Sequence, residues 1–388
     1  MSKKQRYYIQ NDFIVLFILF VCVSLLAIYN AQQLEQYESN FVLQQIFWFI
    51  IGAGIVVVIQ IFDMDQLYKA SPYIYWFGVF ILAVLLVSPE SIAPTINGAN
   101  SWFRFPGFSI QPAEFAKIST ILFLAATINK HKIKFEISSI KTDTYLLVKL
   151  IVITIIPVLL VMGQPDFGTA MVYFFITGVI IILSGIDWKI IGMLIAGISA
   201  LGAAVIGFII RFPEIAQELG VAGYQVDRIL TWFDPTQQSS DATFHIDRAY
   251  MALGSGQLFG KGMGELEVSF PEAHTDFIFA VIGESFGFIG SAVVVFLYFM
   301  LLYKLVTLGL NVHKHSPFAA YICFGFLSLL LIHAFQNIGM TLTIMPVTGI
   351  PLLLISYGGS SVLSTMVGYG LVYRVAVEHT IQNDYLFK

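Results

Sequence analysis

Asp276 lies in Pro271-Glu-Ala-His-Thr-Asp-Phe-Ile-Phe-Ala280, where a long polar stretch runs straight into an apolar one. A carboxylate at a hydrocarbon boundary is expensive, and such groups face a cavity, a partner charge or a substrate path. Partial desolvation there raises an Asp from its ordinary pKa of about 3.9 toward the range useful for taking a proton from a hydroxyl. Asp276 is therefore a candidate general base; the competing reading is an N-cap acid for the helix that follows. His274 and Thr275 flank it, and His274 reads first as a loop hydrogen-bonding residue and second as an acid catalyst. Glu284 lies eight residues on, about 80° around a helix from Asp276, so it either faces the same cavity or pairs with His333 or another helix. Glu114 and Lys117, three apart, share one helical face as a structural ion pair or as a donor set for an anionic substrate.

These residues sit in a chain that composition places in lipid. Of its 388 residues 57% are hydrophobic and 11% charged, with a mean hydropathy of +0.82. Apolar runs recur at 13–31, 46–62, 70–88, 112–129, 145–163, 167–186, 190–210, 277–303, 317–339 and 350–373. Most approach the roughly 20 residues a helix needs to cross a bilayer. The expected fold is an all-α polytopic membrane protein, a single integral domain over 1–388 with ten transmembrane helices.

Ten spans leave both termini on one side. With that side cytoplasmic, fourteen of the twenty Lys and Arg residues fall on cytoplasmic flanks, as the positive-inside bias requires. No cleavable signal peptide is evident, because the first apolar run has no A-x-A exit. Cys22 and Cys323 fall inside spans, have no redox or metal-ligand spacing, and read as small buried hydrophobes without a disulfide.

Two outward-facing connections are long: 89–111, which holds Arg104, and 211–275, a large extracytoplasmic loop between helices 7 and 8. The second carries nine acids against four bases. It also has two apolar clusters, Tyr224, Ile229, Leu230, Trp232 and Phe233, then Tyr250, Met251, Leu253 and Leu258, which suit short amphipathic helices at the outer interface. Gly254-Ser-Gly and Gly260-Lys-Gly resemble a phosphate-cradling loop only weakly, lacking the preceding strand and the P-loop spacing. Asp166 after Pro165 reads as a turn or cap residue. Gly358-Gly-Ser-Ser361 reads as a site of close helix approach within the tenth span.

Several blocks carry a resemblance: Asn97-Gly-Ala-Asn-Ser-Trp102 with Ser109-Ile-Gln-Pro-Ala-Glu-Phe-Ala-Lys117, Gln164-Pro-Asp-Phe-Gly168, Gly254 to Gly262, Pro271 to Gly290, and Asn337-Ile-Gly-Met through Pro351 to Ser361. In content and order they resemble the shape, elongation, division and sporulation family of membrane glycosyltransferases, most like its RodA-type elongation branch. One departure is that Ser101 precedes Trp102 where many members have a basic residue, leaving Arg104 as the nearby charge. The resemblance implies polymerisation of lipid II into peptidoglycan strands, Asp276 as catalytic residue, and Glu114 and Lys117 at the substrate. It also implies a class B penicillin-binding protein as partner, its helix packed against spans eight and nine, where Ala319 and Gly325 are expected to face lipid.

Making a β-1,4 bond from an α-linked diphosphate donor inverts the anomeric centre. It needs one base on the acceptor hydroxyl and stabilisation of the departing diphosphate, the counterpart of inverting carboxylate chemistry. Asp276 fits the first role and Lys117, oriented by Glu114, the second; Arg104, His274, Thr275 and Glu284 complete the substrate-binding candidates. A divalent cation, Mg or Mn, stays open as cofactor; no organic cofactor and no nucleic acid are expected. The location implied is the bacterial cell membrane, with the site facing outside and opening sideways to membrane lipid for the polyprenyl tail. The competing class is a lipid II flippase, which needs charge along a path through the bilayer; the division-type and sporulation-type paralogues and a non-enzymatic scaffold are the others.

Overall fold

Apolar chain with no water around it satisfies its backbone only internally, so long apolar runs close into helices. The computed structural model describes residues 8–34, 40–95, 98–219, 221, 223, 226, 229–230, 241–269 and 271–386. Its helices are α1 (Asn11–Ala31), α2 (Phe41–Ile59), α3 (Met64–Leu86), α4 (Pro112–Lys134), α5 (Ile140–Met162), α6 (Phe167–Leu183), α7 (Trp188–Arg211), α8 (Pro213–Glu218), α9 (Asp241–Ser255), α10 (Ile278–Val312), α11 (Pro317–Thr341) and α12 (Gly359–Leu386). A two-stranded antiparallel hairpin, β1 (Phe103–Phe105) and β2 (Phe108–Ile110), pairs Arg104 with Ser109 before α4. Among the described residues, seven helices are long and apolar enough to cross a membrane. Of these described helices all but α8 and α9 overlap the expected apolar runs, the last with a shift.

α11 is the spine. Most of its residues are buried, and it packs against α4, α6, α10 and α12. α4 and α12 also turn polar residues inward, among them Ser119, Thr120, Ser360, Ser364 and Thr365. α7 is the opposite: only Ile190, Ile191 and Ile209 are buried, while Ile198 and Leu201 stand out at 63% and 67% exposed. Such an apolar, unpacked helix is at rest only against lipid.

Three expectations change. Gly325 and Ala319 do not face lipid: Ala319 is buried, and a Cβ on Gly325 would lie 2.4 Å from the Ile121 side chain of α4. The α11 surface that a partner helix was expected to use is thus already filled by α4. The last span starts at Gly359 rather than Ile350; 350–358 is irregular yet buries Leu352, Leu353, Leu354 and Ile355, so Gly358-Gly-Ser-Ser361 opens the helix instead of lying in its middle. Both cysteines are free, but only Cys323 is buried, Cys22 facing outward. In the 211–275 segment Tyr224, Trp232 and Phe233 lie outside the described residues, as does Asn97 of the resemblance blocks. α9 buries Ala249 and Ala252 and leaves Tyr250 and Met251 exposed.

α10 is broken. Gly287 has φ 65° and ψ −160°, a region only glycine occupies without strain. A break frees backbone groups that must find partners when buried, and residues 257–262 supply them. The amides of Lys261 and Gly262 donate to the carbonyls of Glu284 (2.9 Å) and Ser285 (3.0 Å), and those of Phe288 and Ile289 donate to Gln257 (2.9 Å) and Leu258 (3.2 Å). Backbone meets backbone so closely that a Cβ on Gly256 would lie 1.9 Å from the Gly283 carbonyl oxygen, and one on Gly260 2.2 Å from that of Ser285. The glycine-rich blocks therefore splice a loop into a broken helix and cradle no phosphate.

Gly287→Ala should lower stability by about 1–3 kcal/mol from backbone strain, read as a lower unfolding temperature in detergent. Gly254→Ala, with open space around its Cβ position, is the control; equal shifts for the two would contradict the splice.

Candidate active site

Four helices begin around one cavity of about 380 Å³. Gln111, Glu114 and Lys117 reach it from the start of α4, Asp166 and Thr169 from α6, Thr275 and Asp276 from the approach to α10, and Gly358 and Ser361 from α12. Helix N-termini carry unpaired amides and a partial positive charge of roughly +0.5 each, so four together favour an anionic ligand. One start is already closed: Asp166 caps α6, accepting from the Thr169 amide (3.0 Å) and hydroxyl (2.8 Å) and from Gln111 Nε2 (3.1 Å). The Gln111 amide in turn donates to Ser360 Oγ at 2.9 Å, tying α4 to α12.

Asp276 lines the cavity and is half-buried. It is not the N-cap of α10; that position is Phe277, with no side-chain cap bond. The carboxylate reaches over Gly349, where a Cβ would stand 3.3 Å from Oδ2 and where φ is +70°. Asn337 of α11 holds its main chain, donating from Nδ2 to the carbonyls of Asp276 (2.6 Å) and Ile350 (2.9 Å). Asp276 thus has a main chain fixed from the spine and a side chain given to the cavity.

Lys117 and Glu114 do pair, Nζ to Oε1 at 2.7 Å, with side chains 1% and 5% exposed. Ser364 of α12 donates to the other Glu114 oxygen at 3.4 Å, and Lys117 also meets His333 Nε2 at 3.1 Å. Both Lys117 and His333 reach the cavity floor. A lone ammonium in such a place would be prohibitive; two hydrogen-bonded partners make it tenable.

The remaining candidates separate. Thr275 lines the cavity and donates from Oγ1 to Glu272 Oε2 at 2.7 Å. Arg104 is not in the cavity; it lines an adjoining groove of about 760 Å³ between α2 and the hairpin, walled by Phe47, Trp48, Trp102, Phe105 and Phe108. Cavity and groove share Trp102, Ser109, Thr275, Tyr357 and Gly358. His274 lines neither: its ring stacks on Phe41 at 4.2 Å between centroids, burial lowers its pKa against the opposing pull of Glu272, and its carbonyl accepts from the Tyr357 amide. It packs beside the site without lining it.

Glu284 neither faces the cavity nor pairs with His333. It is buried against the loop, bonded to Lys261 Nζ at 2.7 Å and accepting from the amides of Glu267 (2.9 Å) and Val268 (3.3 Å). Burial by itself would lower Lys261; hydrogen bonds and charge from Glu284 and Glu267 more than reverse this, and its pKa stands above the ordinary lysine value. The 80° offset failed as a guide because Asp276 lies in the turn before α10 starts at Ile278, so the two residues share no helical period.

His333 and Asn337 are the site residues that spacing did not single out. Their i, i+4 relation on a largely apolar helix was the available signal, though a satisfied core histidine has the same pattern. Among the described residues no three His, Cys, Asp or Glu side chains gather as a metal-holding group.

Known proteins match along most of the chain. A family model described as a cell cycle protein, FtsW/RodA/SpoVE, matches residues 5–381. The peptidoglycan glycosyltransferase MrdB of Escherichia coli K12 is 32% identical over 332 residues, 84% of this chain and 83% of MrdB. The peptidoglycan glycosyltransferase RodA of Treponema pallidum is 30% identical, covering 86% of this chain and 89% of its own. Among solved structures, a chain of a peptidoglycan synthase complex that coordinates polymerization and crosslinking superposes with a TM-score of 0.77 at 25% identity, over 95% of this chain and 98% of that one. The rod shape determining protein RodA of Thermus thermophilus gives 0.66 at 25% identity, over 96% and 98%. With the family model matched over residues 5–381 and relatives of 30% identity or more aligned along most of its length, the chain belongs to the FtsW/RodA/SpoVE family.

Proposed function

We infer that the protein is a peptidoglycan glycosyltransferase of the elongation type that polymerises lipid II, with Asp276 as general base. The observation that carries this is one cavity in which an uncapping carboxylate, Asp276, shares space with a pinned ammonium, Lys117, at the meeting of four helix starts. Asp276 takes the proton from the attacking sugar hydroxyl. Lys117 and the helix starts stabilise the charge that builds on the departing diphosphate, an interaction stronger in the transition state than in the ground state. A divalent cation, Mg or Mn, suits this chemistry as a companion of the diphosphate, since Mg is commonly held by one or two carboxylates plus substrate phosphates.

The topology that suits the reading has ten spans, both termini cytoplasmic and the cavity outward. Its support is that the cavity lies at the N-terminal end of α4, whose opposite end carries Lys130, Lys132 and Lys134. The aromatic groove beside the cavity, with Arg104 at its lip, gives a polyprenyl diphosphate a sideways entry. A flippase is less well served: between Glu114, Lys117 and Glu284 at one end and Asp143, Lys149 and Lys304 at the other, the described helices carry no Asp, Glu, Lys or Arg. A transpeptidase partner suits the relative found in a synthase complex. With α11 enclosed, the surface open to its helix is the outer face of α10, where Phe288, Phe296 and Phe299 are each about 60% exposed or more.

Asp276→Asn keeps shape and backbone contacts but cannot take a proton. Purified in detergent, it should fold normally and lose lipid II polymerisation by about 10² to 10⁴; near-normal glycan synthesis by this variant would remove Asp276 from the role. Arg104→Gln should mainly raise KM for lipid II by about 2- to 5-fold, as one exposed charge contact is worth up to about 1 kcal/mol, with kcat nearly kept. A fall in kcat alone would place Arg104 in the chemistry instead.

A further inference from the structure

His333 is buried at 1% exposure in an otherwise apolar stretch of α11, and both its ring nitrogens are engaged. Nδ1 lies 2.9 Å from the carbonyl oxygen of Pro351. A carbonyl only accepts, so the proton is on Nδ1, and Nε2 presents its lone pair to the Lys117 ammonium at 3.1 Å. The opposite tautomer would set acceptor against acceptor at Pro351 and donor against donor at Lys117. The Pro351 carbonyl therefore selects the histidine's tautomer, and the tautomer holds the lysine.

Lys117 has three N–H donors. Glu114 takes one and His333 another, and among the described residues the third has no protein partner. The ammonium stands on the floor of a cavity that also holds Asp166, Glu272 and Asp276, any of which would attract a free lysine. Asn337, one turn along the same face as His333, holds the main chain of Asp276 and Ile350. Two side chains of α11 thus set the cation and the base separately, through neighbouring carbonyls of one irregular segment.

We propose that His333 is a positioning residue: its Nε2 lone pair holds the Lys117 ammonium in place so that the remaining N–H serves the diphosphate of the lipid substrate and does not turn to the cavity carboxylates. This rests on the glycosyltransferase reading. Glu114 supplies charge balance; His333 supplies direction without adding a second negative charge beside an anionic leaving group.

Two substitutions separate the halves of this arrangement. His333→Gln puts an amide oxygen near the Nε2 position, keeping an acceptor for Lys117 while giving up the bond to Pro351. His333→Asn puts an amide nitrogen near the Nδ1 position, keeping Pro351 and giving up Lys117. Measured on purified protein with lipid II, Gln should stay within about 3-fold of wild-type kcat. Asn should lose about 10- to 100-fold in kcat with little change in KM, the size of a hydrogen bond to a charged group realised in the transition state. In parallel, binding of a polyprenyl diphosphate should weaken for Asn and not for Gln. Retained turnover and binding in Asn with loss in Gln would overturn the proposal and assign His333 to the Pro351 contact. Equal losses in both, with lowered unfolding temperatures, would overturn it in favour of packing. Absence of polymerisation in the wild type would sink the glycosyltransferase reading, while the binding arm still decides on His333.

Discussion

A charged ammonium inside a helical bundle must be answered on every side, and Lys117 sets the terms for what surrounds it. Glu114 on its own helix neutralises it, His333 from α11 directs it, and Ser364 from α12 braces the glutamate. Buried ion pairs of this kind are poor sources of stability, since desolvation offsets attraction. Their presence in a membrane bundle is better explained by what the charge does than by what it holds. Three helices are tied to one group, and that group is on the floor of the cavity.

The same constraint, that buried polar groups need partners, shapes the backbone. Two stretches inside the bundle are not helical: the break in α10 and the irregular 350–358 segment. In lipid such chain is tolerated only where protein satisfies it or a cavity is lined by it. The first is satisfied by residues 257–262, with Glu284 and Lys261 as a buried-to-surface clasp. The second is held by His333, Asn337 and Ser24, which donates to the Ile355 carbonyl. Both irregular stretches flank Asp276, so the base is placed by main-chain contacts from elements far apart in sequence.

Much was legible in the residues. Each apolar run overlaps a long helix, seven of them long and apolar enough to cross a membrane among the described residues; the last run was the most displaced, since an irregular but apolar segment has the same hydropathy as a helix. Glu114 and Lys117 were legible as a pair because three-residue spacing fixes a helical face. Asp276 stood out because a carboxylate at the start of an apolar run is costly. Glu284 was misjudged for the same local reason that helped elsewhere: periodicity assumes one helix through both residues, and Asp276 lies in the turn before α10 begins. Ala319 and Gly325 were misplaced because small residues look alike whether they meet lipid or another helix.

The sequence by itself determined the membrane class, the helical architecture, the charge asymmetry along the chain and the chemical types present, since these depend on composition and short-range spacing. Tertiary structure alone decided which charges meet. His333 reaches Lys117 across 216 residues and Asn337 reaches Asp276 across 61, and no local period encodes such encounters. The glycines show the division plainly: their positions are written in the chain, but that Gly256 and Gly260 admit a loop into a broken helix, while Gly349 admits a carboxylate, follows from what packs against each one.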